Sequence, residues 1–267
     1  LLLLALASCN LSEQPNIIIV TATPQLATIG PTLPPTETPT STIPPTATVL
    51  PEIALQLADR YLINGYYERA VDAFRGVLDS GAPANIVASA GFGLGRSALR
   101  EGLFTDAVNA LTAFINNYPQ DARIAQAYFL RGDAYSGLSQ WAEALADFQY
   151  YLTQRKGLID SYLYERIGDS QLSLGQTQDA FSNYTAAADA GRSLVPLLIL
   201  REKVAQIYLQ NSQYAQALAQ YDAILAVARN APYRATIEYA AAQTVLDSGD
   251  QENGLARMRG IFDTYPD

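Results

Sequence analysis

The chain contains no histidine and only one cysteine, Cys9, and these two scarcities limit the chemistry it can carry out. Histidine is the side chain that most often transfers protons near neutral pH, and it is the commonest metal ligand. One cysteine cannot form an intrachain disulfide, a zinc-binding thiolate cluster or a Cys–His nucleophile pair. We therefore expect no metal site and no cofactor. Any catalysis would depend on an acid, a hydroxyl or a lysine.

Positive charge is also scarce. The 267 residues include 17 Lys and Arg against 26 Asp and Glu, which gives a net charge of −9. A protein that binds nucleic acid needs basic side chains to replace the counterions of the phosphates, so the composition disfavours a nucleic-acid partner. The hydrophobic share, 49%, is nevertheless that of a chain that folds.

Proline and threonine divide the chain into two parts. Nine of the 14 prolines lie between Pro15 and Pro51, and residues 10–50 contain ten threonines and no lysine or arginine. A segment of this composition cannot bury a core, and it favours an extended, disordered tether. At about 3.1 Å per residue such a tether could reach on the order of 100 Å. Residues 9–50 are therefore predicted to be a linker, and residues 51–267 the folded part.

The start of the chain has the character of an export signal. Residues 1–8 are all apolar or small, too few to span a bilayer, which needs about 20, but typical of the end of a signal peptide. Leu6-Ala7-Ser8-Cys9 resembles the lipobox of bacterial lipoproteins. The resemblance implies cleavage between Ser8 and Cys9, lipid attachment at Cys9 and an extracytoplasmic location at the membrane of a bacterium. The residues also allow an ordinary signal peptide with a chance cysteine, or a truncated membrane helix.

Six segments after residue 51 repeat with a step of 36 or 37 residues. Each has a small leading residue, an Ala or Gly twelve positions later and a large apolar residue sixteen positions later. Three positions after the leading residue, most of the segments have an aromatic or a small apolar residue. The leading residues are Ala58, Gly95, Gly132, Gly168, Ala205 and Ala242. Small residues let two antiparallel helices approach closely, and large ones fill the space towards the next pair. The pattern predicts an all-α fold of about six helix pairs.

Glycines and prolines indicate where these helices end. Turn signals such as Asn64-Gly65, Glu101-Gly102 and Gly137 fall between the two helices of a pair, and the later prolines fall between pairs. The predicted pairs are residues 51–83, 84–119, 120–156, 157–193, 194–230 and 231–267. The last pair stops where another would start, so we expect the chain to be truncated at its C-terminus.

The repeat resembles the tetratricopeptide repeat. The residues that carry the resemblance are Gly95, Phe104, Ala107, Phe114 and Pro119, and then Gly132, Tyr135, Trp141, Ala144 and Phe148. The resemblance implies a right-handed α-α superhelix, a solenoid whose first helices line a groove that binds a protein or peptide. The usual repeat has about 34 residues, so the longer step puts extra residues in the loops between pairs.

The same resemblance implies which side chains face the groove. They lie three before, one after and four or five after the leading small residue. The candidate binding residues are Asp59, Phe92, Arg96, Arg100, Phe129, Asp133, Glu165, Asp169, Leu172, Gln206, Tyr239 and Gln243. The set is mixed in charge and has no lysine, so it departs from the lysine–asparagine clamp that holds a C-terminal carboxylate in some members. An envelope protein or peptide is the partner that this reasoning favours.

Other motifs are predicted to be structural. Gly91-Phe92-Gly93-Leu94-Gly95 lies inside a helix, without the strand and lysine that a phosphate-binding loop needs. The acids Asp106, Asp147, Asp179 and Asp222 occur singly on second helices and are predicted to face solvent.

Two functions fit these observations. One is a membrane-anchored extracytoplasmic scaffold that mediates protein–protein interaction in the cell envelope. The other follows from a resemblance to the N-terminal helical region of soluble-type lytic murein transglycosylases, carried by residues 162–169 and by the order of lipobox, tether and superhelix. That family's catalytic glutamate is typically followed by serine, and no glutamate here is. On this second interpretation a catalytic domain acting on peptidoglycan lies beyond residue 267, so whether the parent protein is an enzyme stays open.

Overall fold

The computed structural model describes residues 50–157 and 159–265. These residues form α-helices joined by short turns, and none of the described residues is in a strand. The predicted signal-peptide remnant, Cys9 and most of the tether lie outside the described residues. None of the described helices is both long and apolar enough to cross a membrane.

Twelve helices follow one another along the described ranges. They are α1 (Pro51–Ile63), α2 (Tyr67–Leu78), α3 (Ala84–Glu101), α4 (Phe104–Asn117), α5 (Ile124–Gly137), α6 (Trp141–Gln154), α7 (Asp160–Ser173), α8 (Thr177–Asp189), α9 (Leu194–Gln210), α10 (Tyr214–Val227), α11 (Ala231–Asp247) and α12 (Gln251–Thr264). Consecutive helices pack on each other, from α1 and α2 to α11 and α12. The prediction of an all-α solenoid of about six helix pairs is confirmed.

Small residues set the close approach within each pair, as the sequence pattern predicts. A Cβ atom added to Gly95 would lie 2.5 Å from Leu111, one on Gly132 would lie 2.7 Å from Phe148, and one on Gly168 would lie 2.8 Å from Tyr184. These distances are shorter than van der Waals contact. The first helix of each of these pairs therefore rests on the large residue sixteen positions later.

A second contact recurs between pairs. Near its C-terminal end, each second helix from α2 to α10 places two neighbouring residues against the first half of the next first helix. These residues are Val77 and Leu78, Phe114 and Ile115, Tyr151 and Leu152, Ala187 and Ala188, and Ile224 and Leu225. Because all five junctions use the same positions, the core runs through the array as a series of similar layers.

The turns within pairs follow the glycine pattern only in part. Gly65, Gly102, Gly175 and Gly249 have positive φ angles between 76° and 96° at the end of a first helix, where a side chain would be strained. At the predicted turn of the third pair, helix α5 ends at Gly137, which packs against Phe104. Ser139, two residues later, takes the positive φ of 59° there.

Candidate binding groove

The first helix of each pair contributes to one side of the array, which we call the first-helix surface. Helix α1 contacts α3, and α3 contacts α5. Helix α7 is joined to α5 by an ion pair in which Arg166 Nε lies 3.1 Å from Asp133 Oδ1. Helix α9 is joined to α7 by an ion pair between Lys203 and Asp169. The first helices from α1 to α9 thus form a continuous surface.

One column of this surface consists of the residues that directly follow the leading small residues. They are Asp59, Arg96, Asp133, Asp169, Gln206 and Gln243, and all six are exposed or half-buried. The column is charged along its first four pairs and carries amides in the last two. It therefore offers different chemistry to a ligand at its two ends.

At the N-terminal end of the column, arginines lie over an aromatic ring. The guanidinium carbons of Arg96 and Arg123 lie 5.8 and 5.2 Å from the centre of the Phe92 ring. The prediction that Phe92 faces the groove is wrong. Phe92 is only 5% exposed, because it packs 5.2 Å from Phe114 beneath these arginines. Burial raises the pKa of Asp59, and the charges of Arg96 and Arg123 oppose this rise.

Asp133 lies between two arginines on neighbouring helices. Burial raises the pKa of its carboxyl group above the usual range, while the charges of Arg166 and Arg100 lower it by less. Both arginines are exposed. An ion pair with an exposed arginine contributes little to stability, so Arg166 can exchange Asp133 for a carboxylate of a ligand.

Glu165 and Arg192 form the most enclosed part of the surface. Arg192 has a side chain that is 3% exposed, and its Nη1 donates to Glu165 Oε2 at 2.7 Å. It also donates to the hydroxyl and the carbonyl oxygen of Ser161, at 2.8 and 2.9 Å. Burial raises the pKa of Glu165, but the hydrogen bond from Arg192 and the charges of Lys203 and Arg192 outweigh it, so the pKa is lowered. Glu165 is therefore held as a carboxylate.

Asp169 continues this network toward α9. It accepts a hydrogen bond from the Tyr184 hydroxyl at 2.6 Å and is paired with Lys203, whose Nζ also lies 3.4 Å from Glu165 Oε1. Burial, followed by the hydrogen bond to Asp169, raises the pKa of Tyr184, so its hydroxyl stays protonated. The one lysine of the surface thus lies between two carboxylates that both come from α7.

A cleft of 330 Å³ opens beside this network. Its lining residues are Ser136, Trp141, Arg166, Asp169, Leu172, Ser173, Tyr184 and Lys203. The predicted groove residues Asp169 and Leu172 are therefore brought together here with two cations and two aromatic rings. An acidic or hydroxyl-bearing group of a ligand fits this lining, because Arg166 and Lys203 can donate hydrogen bonds to it.

The C-terminal part of the array carries an apolar cleft of 380 Å³ between α9 and the start of α11. We call it the α9–α11 cleft; it is lined by Leu194, Val195, Leu198, Ile199, Glu202, Ala228, Arg229, Asn230 and Tyr233. Val195 is 64% and Ile199 60% exposed. The Tyr233 hydroxyl donates to Glu202 and ties α11 to α9 across the floor of the cleft.

The other predicted groove residues lie apart from the two clefts. Phe129 is half-buried against the rings of Phe148 and Tyr151, at 5.8 and 5.5 Å. Gln206 donates to the Tyr221 hydroxyl at 2.8 Å, and Gln243 donates to Asp247 at 2.8 Å. Tyr239 is exposed and lies on α11.

Of the four acids predicted to face solvent, Asp147 does not. It is 4% exposed and accepts two hydrogen bonds from Arg131, at 2.7 and 2.8 Å. Donation to Asp147 raises the pKa of Arg131. Asp106 and Asp222 are bonded to Arg75 and Arg257. Asp179 is exposed as predicted.

Sequence reasoning missed the α9–α11 cleft. A signal was present in the run Leu194-Val195-Pro196-Leu197-Leu198-Ile199-Leu200. A helix that packs against its neighbours on one side buries one face, so a run without polar residues must leave some apolar side chains exposed. Within the described residues, no three acidic or cysteine side chains are grouped as a metal ion would require.

Comparison with known proteins concerns the fold of the chain. The family model described as tetratricopeptide repeat matches residues 92–159. No curated protein matches the chain. A tetratricopeptide repeat protein from Parabacteroides merdae is 13% identical, with a TM-score of 0.58 over 80% of this chain and 79% of that one. The predicted tetratricopeptide-like architecture is therefore supported.

Two further solved structures share the fold. PilF from Pseudomonas aeruginosa is 16% identical, with a TM-score of 0.53 over 81% of this chain and 92% of that one. BtubC from P. vanneervenii is 12% identical, with a TM-score of 0.52 over 78% of this chain and 91% of that one. At these identities the likeness concerns the fold alone.

Proposed function

We propose that the protein is a scaffold whose first-helix surface binds a segment of a protein partner. The observation that carries this proposal is the α9–α11 cleft, which leaves Val195 and Ile199 mostly exposed. Exposed apolar side chains that line a concave surface with a polar rim mark interaction sites. The partner segment would place apolar side chains in this cleft.

The hydrogen-bonded network around Glu165 and Asp169 supports the same proposal. Arg192 fixes the position of Glu165, and Lys203 lies between Glu165 and Asp169. Groups that are already oriented lose little conformational entropy when a ligand binds. A peptide that lies along α7 and α9 would therefore gain hydrogen bonds at this network and apolar contact in the neighbouring cleft.

For the location of the scaffold we infer lipid attachment at Cys9 and an extracytoplasmic position on a bacterial membrane. The support is the lipobox-like sequence Leu6–Cys9 and the Thr- and Pro-rich segment that follows it. Replacing Cys9 with Ser should abolish labelling of the protein by a palmitate analogue in cells. Labelling that is unchanged in Cys9→Ser would contradict the inference.

The test of partner binding is site-specific photo-crosslinking in cells of the source organism. A photoreactive residue at Ile199 should give one discrete adduct, whereas the same residue at Gln216, exposed on the second helix α10, should not. Adding Val195→Asp to the Ile199 probe should remove the adduct, because a carboxylate in the cleft opposes burial of an apolar side chain. Equal adducts from Ile199 and Gln216 would contradict the assignment of the site.

The mass of the adduct also separates a partner from a second copy of this chain, which would double the mass of the uncrosslinked protein. None of the similar structures described above favours the resemblance to lytic transglycosylases, and we base no proposal on it.

A further inference from the structure

Positive charge is distributed unevenly between the two kinds of helix in the middle of the array. The second helices α4, α6, α8 and α10 contain six acids and no lysine or arginine. The first helices α3, α5, α7 and α9 also contain six acids, but these are balanced by six cations: Arg96, Arg100, Arg131, Arg166, Arg201 and Lys203. The first helices are therefore neutral overall, in a chain whose net charge is −9.

The ion pairs between first helices expose their cations more than their acids. In the pair that joins α7 to α5, the side chain of Arg166 is 51% exposed and that of Asp133 is 22% exposed. In the pair that joins α9 to α7, the side chain of Lys203 is 35% exposed and that of Asp169 is 28% exposed. A ligand that approaches the first-helix surface therefore meets the cations before the acids.

Helix α3 adds two further cations to this surface. Arg96 and Arg100 are four positions apart, so they lie on the same face of the helix, and both are exposed. Arg100 lies close enough to Asp133 for its charge to oppose the effect of burial on the pKa of that carboxyl group. We call Arg96, Arg100, Arg166 and Lys203 the cation strip.

The α9–α11 cleft has an equivalent one step earlier in the array, between α7 and α9. There the chain's own Arg192 is buried, with its guanidinium carbon 4.3 Å from the centre of the Tyr162 ring. Its Nη1 donates to Glu165 Oε2. At this junction an arginine of the chain thus occupies the space beside a ring and a carboxylate.

One step later, the same three positions are occupied by Arg229, Ile199 and Glu202. Ile199 has no ring on which a guanidinium group could lie, and Glu202 accepts a hydrogen bond from Tyr233. Arg229 is exposed and is one of the residues that line the cleft. The α9–α11 cleft therefore combines an apolar lining with a cation that a ligand can reach.

The cleft and the cation strip belong to one surface. Val195, Ile199, Glu202 and Gln206 follow one another at steps of four, three and four residues, so they share a face of α9. Gln206 belongs to the column that also contains Arg96. Packed helices lie about 10 Å apart, so α3 is on the order of 30 Å from α9. An extended segment of about nine residues spans this distance.

We propose that the partner segment is acidic, with an apolar side chain in the α9–α11 cleft, a carboxylate beside Arg229 and further carboxylates along the cation strip. This inference rests on the function proposed above and names the chemistry of its partner. Charge complementarity gives specificity at an interface, because a segment of the wrong sign is repelled. The acidic second helices repel the same segment, so it is directed to the first-helix surface.

The net charge of the chain and the local charge of this surface make opposite predictions. Repulsion by the net charge of −9 disfavours an acidic ligand, and added salt would strengthen its binding. Contact with the cation strip favours an acidic ligand. Above about 0.1 M salt the Debye length is about 10 Å or less, so distant charges are screened. In that range the proposal predicts that binding weakens as salt is added.

The experiment is fluorescence anisotropy on the whole 267-residue chain carrying Cys9→Ser, which excludes acylation and disulfide-linked dimers. The probe is a peptide of about ten residues, the length set by the span above. It has two leucines followed by alternating Glu and Ser, a neutral fluorophore and a C-terminal amide, and it is made in both chain directions. Matched peptides replace every Glu with Gln, every Glu with Lys, or both leucines with Ser. The amide excludes binding through a terminal carboxylate.

The better-binding direction of the Glu peptide should bind at least about tenfold more tightly than the corresponding Gln and Lys peptides. Replacing its leucines with Ser should also weaken it, because the cleft then receives no apolar side chain. Its Kd should rise with salt above about 0.1 M.

Variants of the chain locate the binding. The triple variant Arg96→Gln, Arg100→Gln and Arg166→Gln should weaken the Glu peptide about tenfold and leave the Kd of the Gln peptide unchanged. The matched control removes the same charge from second helices, with Arg69→Gln, Arg75→Gln and Arg259→Gln, and should change the Kd of the Glu peptide much less. Arg229→Gln alone should weaken the Glu peptide and not the Gln peptide. Far-UV circular dichroism checks that each variant is folded.

Four outcomes would overturn the proposal. They are failure of the Glu peptide to bind, equal binding of the Glu and Gln peptides, tighter binding of the Lys peptide, and equal effects of the two triple variants. Photo-crosslinking at Ile199 tests the proposed function separately. A discrete adduct there, together with equal binding of the Glu and Gln peptides, would retain the binding surface and reject an acidic partner. Absence of the adduct contradicts the proposed function itself, whatever the peptides do.

Discussion

At the scale of single residues, the leading small position shows how one side chain sets the distance between two helices. Gly132 allows the ring of Phe148 to lie against the backbone of α5, and an added Cβ would lie 2.7 Å from that ring. Gly91, on the neighbouring first helix α3, has no atom within 4 Å of the position of an added Cβ. The two glycines occupy the same kind of backbone but meet different surroundings.

We therefore expect Gly132→Ala and Gly91→Ala to change stability in opposite directions. Alanine stabilises a helix by about 1 kcal/mol relative to glycine, and at Gly91 nothing opposes this gain. At Gly132 overpacking costs about 1–3 kcal/mol, so the free energy of unfolding should fall. Urea unfolding measures both. A stabilising Gly132→Ala would show that α5 can move away from Phe148 without loss.

Two carboxylates of the first-helix surface, when ionised, should change the free energy of unfolding in opposite directions. Burial raises the pKa of Asp133, so its ionised form costs stability above the unfolded pKa of 3.8. Arg192 and Lys203 lower the net pKa of Glu165, so its ionised form adds stability above 4.5, and this is lost as the pH falls through the folded pKa.

The corresponding variants are Asp133→Asn and Glu165→Gln. At neutral pH, Asp133→Asn should leave the free energy of unfolding unchanged or raised, whereas Glu165→Gln should lower it. Both differences should shrink as the pH is lowered, because protonation makes the parent resemble the amide variant. Urea unfolding at a series of pH values gives the comparison. A Glu165→Gln variant as stable as the parent at neutral pH would contradict the sign argued for Glu165.

At the scale of helices, the junction between the fourth and fifth pairs differs from the others. Helices α8 and α9 pack on each other less extensively than other consecutive helices. Arg192, in the turn between them, is bonded instead to Glu165 and Ser161 of α7. Polar contacts therefore hold this turn in place where apolar packing is reduced.

Arg192→Ala should uncouple the two parts of the array at this junction. The substitution leaves the half-buried Glu165 with Lys203 as its remaining partner, at 3.4 Å. Since stability in a repeat array depends on contacts between neighbours, the last two pairs should then open separately. Hydrogen exchange should be faster in α9–α12 than in α1–α7, and urea unfolding should become broader or biphasic. A single sharp transition with uniform exchange would contradict this role for Arg192.

The number of helices and their pairing follow from the sequence. A small leading residue recurs every 36 or 37 positions, and each one marks the close contact within one helix pair. Burial at single positions does not follow. Phe92 is covered by Arg123 from the next pair, and Asp147 is buried because Arg131 reaches it from the preceding helix. The period identifies a helix face, whereas the depth of a side chain depends on a residue in another helix, which a single sequence does not identify.

At the scale of the whole molecule, the core of the described array is divided into layers, one at each junction between pairs. The layers use equivalent positions, so one helix pair can take the place of another. Helix α9 begins at Leu194 and α11 at Ala231, one full step later. The residues that receive the preceding second helix, Leu200 on α9 and Ile237 on α11, are equivalent and both buried. Removing one whole step should therefore bring α8 against α11 with an equivalent contact.

Deletion of residues 194–230 tests this interchangeability. The variant should fold with the same helix content per residue, because the contact of α8 with α11 repeats that of α8 with α9. Its urea m-value should fall by about one sixth, in proportion to the surface that no longer becomes exposed, and its free energy of unfolding should fall as one junction is lost. The matched control, deletion of residues 194–211, removes a single helix and reverses the direction of every helix that follows. That control should lose cooperative unfolding, and equal cooperativity in the two deletions would show that the register of the repeat does not determine the packing.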